Sequence, residues 1–173
     1  KAQCLAKLGR REEALEALYQ GIARDPASTS YDEITDAVTG PLTRQQTAEV
    51  WRKIITLKPK HLDHALWNLA VRSEDGEAIK LFERLLAEFP TSEHAPESLW
   101  WIFWHQTKTI YPGKIQANKV KAQSLARLAD SGVSRYPRHR SAARFAFWSG
   151  KISEKLGNVQ AAKLAYEHAW RHY

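Results

Sequence analysis

Histidine pairs are the residues whose spacing comes closest to a chemical site in this sequence. His61 and His64 are three residues apart and His168 and His172 are four apart, so each pair would share one face of a helix. Neither pair has the flanking acid or cysteine that completes a zinc motif. No Ser, His and Asp constellation, glycine-rich phosphate loop or cysteine nucleophile can be assembled either. The chain by itself is therefore predicted to have no catalytic residue, metal or cofactor.

A basic stretch predicts an anionic neighbour. Between residues 108 and 151 ten basic side chains occur with a single acid, Asp130, although exposed helices normally mix both signs of charge. The ten are Lys108, Lys114, Lys119, Lys121, Arg127, Arg135, Arg138, Arg140, Arg144 and Lys151. The neighbour is a peptide carboxylate, an acidic partner domain, a membrane surface or nucleic acid, and simple solubility is the alternative. Nucleic acid is not expected, because no zinc knuckle, aromatic RNA motif or helix-turn-helix pattern accompanies the basic residues.

Six consecutive apolar residues, 99–104, include Trp100, Trp101, Phe103 and Trp104. Successive helical residues point about 100° apart, so this segment is apolar all round and must be enclosed on more than one side. Core packing is the simpler interpretation of such aromatic residues, and it extends to Trp51, Trp67, Phe145, Phe147 and Trp170. In the functional interpretation, Trp101 or Trp104, together with Trp148, stacks on sugar rings or peptide side chains.

Length and charge set the limits of the fold. The 173 residues suit a single domain, 1–173, and the net charge of +7 is unevenly spread. Residues 1–90 have 13 basic and 14 acidic side chains, whereas residues 91–173 have 13 and 5. No apolar run is long enough to predict a membrane span. Because the sequence lacks methionine and a signal-like start, we expect a fragment of a longer protein.

A repeat organises the chain. In each repeat, a small or apolar residue is followed four residues later by a second one and three residues after that by a third. In the first four repeats, a proline comes five residues after the third. The series are Ala14, Leu18, Gly21 and Pro26; Thr47, Trp51, Ile54 and Pro59; Ala78, Phe82, Leu85 and Pro90; Leu125, Ala129, Gly132 and Pro137; and a fifth, Ala162, Tyr166 and Ala169. Because the residue before proline avoids the helical conformation, each proline is predicted to end a helix. The repeats are approximately 1–26, 27–59, 60–90, 91–137 and 138–173.

Apolar periodicity predicts ten helices and no strand. The helices are expected at 1–8, 11–24, 30–38, 43–57, 61–72, 75–88, 95–109, 115–135, 140–156 and 159–172. Gly157 is predicted to end one helix and Asn158 to cap the next.

These spacings resemble tetratricopeptide repeats, whose unit is a helix, a turn and a helix of 34 residues. Leu8-Gly9 followed by Glu13-Ala14, and Leu156-Gly157 followed by Ala161-Ala162, look like the turns of such repeats. Gly150 lies where the first helix of a repeat closely meets its partner. The resemblance implies an all-α fold, a TPR-like right-handed superhelical solenoid of about five antiparallel helix pairs.

Two segments carry a narrower resemblance. The segment from Phe89 to Trp101, FPTSEHAPESLWW, is similar to a junction in tetratricopeptide proteins of the bacterial envelope. The segment from Tyr136 to Tyr173 looks most like the last superhelical repeats before the catalytic domain of soluble lytic transglycosylases. The resemblance implies a protein of the bacterial cell envelope or periplasm that handles peptidoglycan, with this chain as its non-catalytic arm.

The dipeptide Glu97-Ser98 is identical to the Glu-Ser dipeptide of lytic transglycosylases, in which the residue that acts as general acid and base is found. A catalytic carboxylate needs a cleft and a raised pKa. The methionine-containing segment that follows it in the family cannot exist in this chain. We therefore interpret Glu97 as structural, a carboxylate in the first turn of a helix that complements the helix dipole.

Three classes of function remain. In the favoured one, a superhelical arm holds glycan strands or the carboxylates of peptidoglycan stem peptides near a catalytic domain outside this chain. In the second, the chain is a peptide-binding adaptor, for which only Asn68, Lys108 and Lys151 qualify as concave-face contacts. In the third, it is an assembly module of an envelope complex. The candidate ligand-binding or partner-binding residues are Trp101, Trp104, Lys108, Arg138, Arg140, Arg144, Trp148 and Lys151.

Overall fold

The computed structural model describes residues 1–28, 31–40 and 42–171. Within these residues the regular secondary structure consists of ten α-helices and one short 3-10 helix, without a strand. The α-helices are α1 (Ala2–Lys7), α2 (Arg11–Arg24), α3 (Tyr31–Thr39), α4 (Arg44–Thr56), α5 (Leu62–Ala70), α6 (Asp75–Glu88), α7 (Ala95–Thr107), α8 (Lys119–Arg135), α9 (Ser141–Lys155) and α10 (Val159–Arg171). The predicted all-α class is confirmed.

The four prolines of the repeat lie between helices, as predicted. Pro26, Pro59, Pro90 and Pro137 follow α2, α4, α6 and α8, respectively. The predicted bounds of α2 and α6 are those of the structure, and the other helix ends agree to within two residues, apart from the start of α8. The predicted ends at residues 30 and 172 lie outside the described residues.

The helix α8 begins at Lys119, and its predicted start at residue 115 is wrong. Residues Gln116–Asn118 form the 3-10 helix instead. Asn118 has φ −125° and ψ 42°, and its side-chain amide donates a hydrogen bond to the carbonyl of Lys114 at 2.9 Å. This local bond stabilises a turn that competes with the α-helix.

The chain divides into two compact units, Lys1–Glu88 and Phe89–Tyr173, which we call the N-terminal and C-terminal units. In the N-terminal unit, α1, α2 and α3 contact one another, α4 packs on α5, and α5 packs on α6. Its core buries Trp51, Ile54, Leu66 and Phe82, and the rings of Trp67 and Phe82 lie 5.5 Å apart.

In the C-terminal unit, each helix from α7 to α10 packs on the next, and α7 also contacts α9. The rings of Phe103 and Phe145 are fully buried and meet edge to face at 5.7 Å. In the apolar segment 99–104, Trp101 is 37% exposed and Trp104 is half-buried, while the other four residues are buried. The segment is therefore enclosed on more than one side, as its composition predicts.

Glycine lets α10 lie close against α9. A Cβ atom on Gly150 would lie 2.6 Å from the ring of Tyr166, closer than packed atoms approach. Gly157 ends α9 with φ +81°. Asn158 Oδ1 accepts a hydrogen bond from the backbone amide of Ala161 at 3.2 Å. The predicted roles of the two glycines and the asparagine are confirmed.

Candidate functional site

Aromatic side chains of α7 and α9 meet where the two helices contact each other. The rings of Trp104 and Trp148 lie 4.9 Å apart, and Tyr111 packs edge-on against Trp148 at 5.0 Å. Trp100 stacks on Trp104 with 6.1 Å between ring centroids. The structure thus brings together the predicted residues Trp104 and Trp148, in contacts that each contribute about 0.5–1.5 kcal/mol.

Beside these rings, α7, α9 and α10 form an open cavity of about 810 Å³, which we call the aromatic groove. Its lining residues are Trp100, Ala143, Arg144, Phe147, Trp148, Tyr166, Ala169 and Trp170. The volume falls within the range of protein pockets that bind small molecules. Five of the eight lining residues are aromatic, so the groove offers mainly apolar ring surface.

Helical spacing on α9 and small residues at the groove floor produce this shape. Arg144, Phe147 and Trp148 stand at positions i, i+3 and i+4, which places their side chains on one face of the helix. Ala143 is 5% exposed and Ala169 is 7% exposed. These small side chains leave room between the aromatic walls that larger residues would fill.

Two aromatic residues that the sequence predicts to be interior are exposed in the groove. Phe147 is 45% exposed and Trp170 is 84% exposed, whereas Trp51 and Phe145 are fully buried as predicted. The prediction fails for the first two because helical spacing shows which side chains share a face, but not which face a neighbouring helix covers. One signal in the sequence does indicate part of the groove: Tyr166 and Trp170 are four residues apart, which places their two rings on the same face of α10.

Arg144, the charged residue of the groove lining, belongs to an ion cluster. Arg144 Nη2 donates a hydrogen bond to Glu97 Oε1, and Arg140 Nε donates to the same oxygen at 3.1 Å. The guanidinium carbon of Arg144 lies 4.6 Å from the ring centroid of Trp100, a cation–π contact. The Glu97 side chain is 13% exposed and that of Arg140 is 82% exposed. We call Glu97, Arg140 and Arg144 the Glu97 cluster.

The Glu97 cluster keeps its carboxylate ionised. Burial raises the pKa of the Glu97 carboxyl, but the hydrogen bonds and charges of Arg144 and Arg140 outweigh burial and hold this pKa below its ordinary value of 4.5. A general acid needs a raised pKa, so the lowered one favours the structural interpretation of Glu97-Ser98.

The neighbouring His139 is neutral at pH 7. Burial lowers the pKa of His139, and the charges of Arg140 and Arg144 lower it further against the attraction of Glu97. The imidazole therefore adds no positive charge to the cluster.

Acids from outside the basic stretch pair with part of it. Glu97 neutralises one of its two arginine partners. Glu154 Oε2 lies 3.7 Å from Lys151 Nζ and accepts a hydrogen bond from the Tyr166 hydroxyl at 2.6 Å. Burial and then this hydrogen bond raise the pKa of Tyr166. Part of the anionic neighbour predicted for the basic stretch thus lies within the chain. Helix packing brings Glu97 from α7, and Glu154 follows Lys151 by one turn of α9, just beyond the stretch.

The other predicted residues lie away from the groove lining. Lys108 is exposed directly after α7, and Arg138 is exposed in the turn before α9. The Trp101 ring lies 5.8 Å from that of His105. Lys151 is half-buried and follows Trp148 by three residues on α9. Of the predicted set, therefore, Arg144 and Trp148 line the groove and Trp104 packs against its wall.

A second cavity, of about 980 Å³, lies within the N-terminal unit, and most of its lining residues are polar or charged. Its arginines have partners in the protein: Arg44 donates hydrogen bonds to the backbone carbonyls that follow α5, and Arg52 pairs with Glu77 at 2.8 Å. Arg72 donates a hydrogen bond to the side-chain oxygen of Asn68 at 2.8 Å. Asn68 is one of the three residues predicted to contact a peptide in the adaptor alternative. These contacts account for the polar side chains structurally, so we take the aromatic groove as the candidate site.

Metal ligands do not cluster in the part of the chain that the structure describes. No group of three or more His, Cys, Asp or Glu side chains there has the arrangement to hold a metal ion. His172, the second member of one histidine pair, lies outside the described residues. None of the described helices combines the length and the hydropathy needed to cross a bilayer.

No protein-family model matches this chain, and no curated protein matches it.

Proposed function

We propose that this chain is a non-catalytic binding module and that the aromatic groove of its C-terminal unit is the binding site. The observation that carries the proposal is the groove itself, an open cavity of about 810 Å³ with aromatic walls and one arginine. Contiguous exposed apolar surface in a concave site is typical of ligand grooves and interaction sites. The exposed rings of Phe147 and Trp170 provide that surface.

In the favoured form of this proposal, the chain is the superhelical arm of a bacterial envelope protein that handles peptidoglycan. The resemblance of residues 136–173 to the repeats of lytic transglycosylases supports this form. The ten helices would then stack as a TPR-like right-handed solenoid. In the groove, ring faces stack on sugars, and Arg144 pairs with a carboxylate of a stem peptide. A catalytic domain would belong to another part of the parent protein, in the periplasm.

The chemistry of the groove lining favours a second candidate, a protein-interaction adaptor. Arg144 is its charged residue, and the hydroxyl of Tyr166 is engaged by Glu154 at 2.6 Å. Buried sugar hydroxyls need hydrogen-bond partners, whereas an apolar peptide side chain does not. A groove with few polar groups therefore also suits the side chain of a protein partner.

Titration of the chain with soluble muropeptides tests the favoured form. We expect binding that weakens as salt rises, because screening reduces the attraction between charged groups. The double variant Phe147→Ala/Trp170→Ala should weaken binding about tenfold or more, since each ring contributes on the order of 1 kcal/mol.

A matched control is the double variant Val120→Ala/Val159→Ala, which removes exposed apolar residues that do not line the groove. It should leave muropeptide affinity unchanged. Absence of muropeptide binding, or equal loss in both double variants, would contradict the peptidoglycan form of the proposal.

A further inference from the structure

The positive charge at the groove exceeds what the acidic side chains in the described part of the chain neutralise. In the Glu97 cluster, one carboxylate accepts hydrogen bonds from two guanidinium groups, those of Arg140 and Arg144. His139 is neutral, and Lys151 has its own acid in Glu154 at 3.7 Å. Among the residues that the structure describes, one positive charge is thus left uncompensated beside the apolar groove. This arrangement is complementary to a ligand with a single negative charge.

Arg144 retains donors for such a ligand. A guanidinium has five N–H donors in a planar fork, and Nη2 of Arg144 donates to Glu97 Oε1. The guanidinium carbon lies 4.6 Å from the centroid of the Trp100 ring, and this cation–π contact holds the group beside the groove wall. The Arg144 side chain is 36% exposed and forms part of the groove lining. A carboxylate in the groove can therefore reach the remaining edge of the fork.

The ligand must also present apolar surface close to its carboxylate. Arg144 stands one helical turn from Phe147 and Trp148, a separation of about 5–6 Å between Cβ atoms. The last residue of a polypeptide has a terminal carboxylate and a side chain on the same Cα atom, so it spans a similar distance. An aliphatic or aromatic side chain at that position would lie over the alanine floor, between the rings.

We propose that the aromatic groove receives the carboxy-terminal residue of a partner polypeptide, with its apolar side chain among the rings and its terminal carboxylate on Arg144. The inference rests on the proposed function only in that the groove is a binding site. It commits to a protein partner as the occupant. The ligand carboxylate and Glu97 are both attracted by the positive charge of Arg144, so they compete for that charge although they bond different edges of its guanidinium.

Two fluorescein-labelled hexapeptides test the inference with the intact chain. Both have the sequence Gly-Ser-Gly-Ser-Ala-Leu; one ends in a free carboxylate and the other in an amide. We expect the free acid to bind about tenfold more tightly or better, since a hydrogen bond to a charged group is worth roughly 1.4 kcal/mol or more, a tenfold change. Fluorescence anisotropy gives the affinities, and the tryptophan indole resonances in 1H–15N spectra report contact with the groove.

Glu97→Gln gives the sharpest test, because it removes the competing carboxylate without removing its volume. We expect this variant to bind the acid peptide several-fold more tightly and to leave the amide peptide unaffected. A variant that merely damaged the fold would weaken both peptides. Arg144→Gln should abolish the preference for the acid, and circular dichroism establishes that each variant remains helical.

The outcomes separate this inference from the proposed function. Equal affinity for the acid and the amide, or no gain in Glu97→Gln, overturns the inference. Binding of muropeptides without binding of either hexapeptide overturns the inference and leaves the proposed function in place. Binding of neither muropeptides nor hexapeptides overturns both.

Discussion

At the residue scale, two glycines set how closely the last three helices approach one another. A Cβ atom on Gly150 would meet the ring of Tyr166 at 2.6 Å, and one on Gly132 would meet the ring of Phe145 at the same distance. Tyr166 is also a wall of the aromatic groove. The absence of a side chain at residue 150 therefore determines both the packing of α10 and the width of the groove.

We expect Gly150→Ala to lower the free energy of unfolding by about 1–3 kcal/mol, because overpacking moves the Tyr166 ring. This loss opposes the gain of up to about 1 kcal/mol that alanine gives in a helix interior. Gly21→Ala in α2 is the matched control, because nothing lies within 4 Å of its added Cβ, and it should stabilise the chain. Urea denaturation measures both, and equal effects of the two substitutions would contradict the role of Gly150.

A second prediction at this scale concerns pH. The pKa of Glu97 is below its ordinary value of 4.5 in the folded chain, so its ionised form stabilises the fold above about pH 4.5, and this contribution is lost as the pH falls through the lowered pKa. Glu97→Gln should therefore be less stable than the wild type at pH 7, and the difference should shrink towards zero in strong acid. Thermal unfolding from pH 7 to pH 2 measures it.

The control is Glu93→Gln, whose side chain is 85% exposed. It should change stability little at any of these pH values. A constant difference between wild type and Glu97→Gln across the range would mean that the arginine pairs do not contribute.

At the element scale, helix ends in this chain are defined by local residues. The helix α4 begins after Thr43, which forms a capping box with Gln46: the hydroxyl accepts from the Gln46 amide at 3.3 Å, and Gln46 Oε1 accepts from the Thr43 amide at 3.0 Å. Pro59 follows the same helix at its other end. Such signals act within a few residues, which is why most helix bounds follow from the sequence.

Replacing this cap gives an element-scale prediction. Thr43→Ala should lower the free energy of unfolding by about 1 kcal/mol, because the amide of Gln46 loses its acceptor. Thr43→Ser retains the hydroxyl and should cost little. Hydrogen exchange of the amides in the first turn of α4 should speed up in the alanine variant alone; unchanged exchange there would argue against the cap.

At the scale of the whole molecule, the compact units coincide with the two charge halves of the chain. The N-terminal unit is close to neutral, and the C-terminal unit contains the basic excess and the aromatic groove. The helices α7 to α10 form their own core around Phe103 and Phe145. The residues that carry the proposed function all belong to this one unit.

We therefore expect residues 89–173, produced alone, to fold and to bind whatever ligand the full chain binds with an affinity within a few-fold. A core of this size is marginal but sufficient for independent folding. Circular dichroism should show a helical spectrum and a cooperative thermal transition. A fragment that melts without a transition would instead support the single domain predicted from the sequence.

The sequence by itself determined the all-α class and the places where helices stop, because these depend on residues within a turn or two of one another. Tertiary structure alone decided which aromatic residues stay exposed and which acid meets Arg144. Phe147 shares a helical face with the buried Ala143, and only the position of the neighbouring helices makes one exposed and the other buried. Glu97 lies 47 residues from Arg144 in sequence, and no local pattern links the two. The groove and its charge arise from contacts between helices, which a periodicity along one helix does not specify.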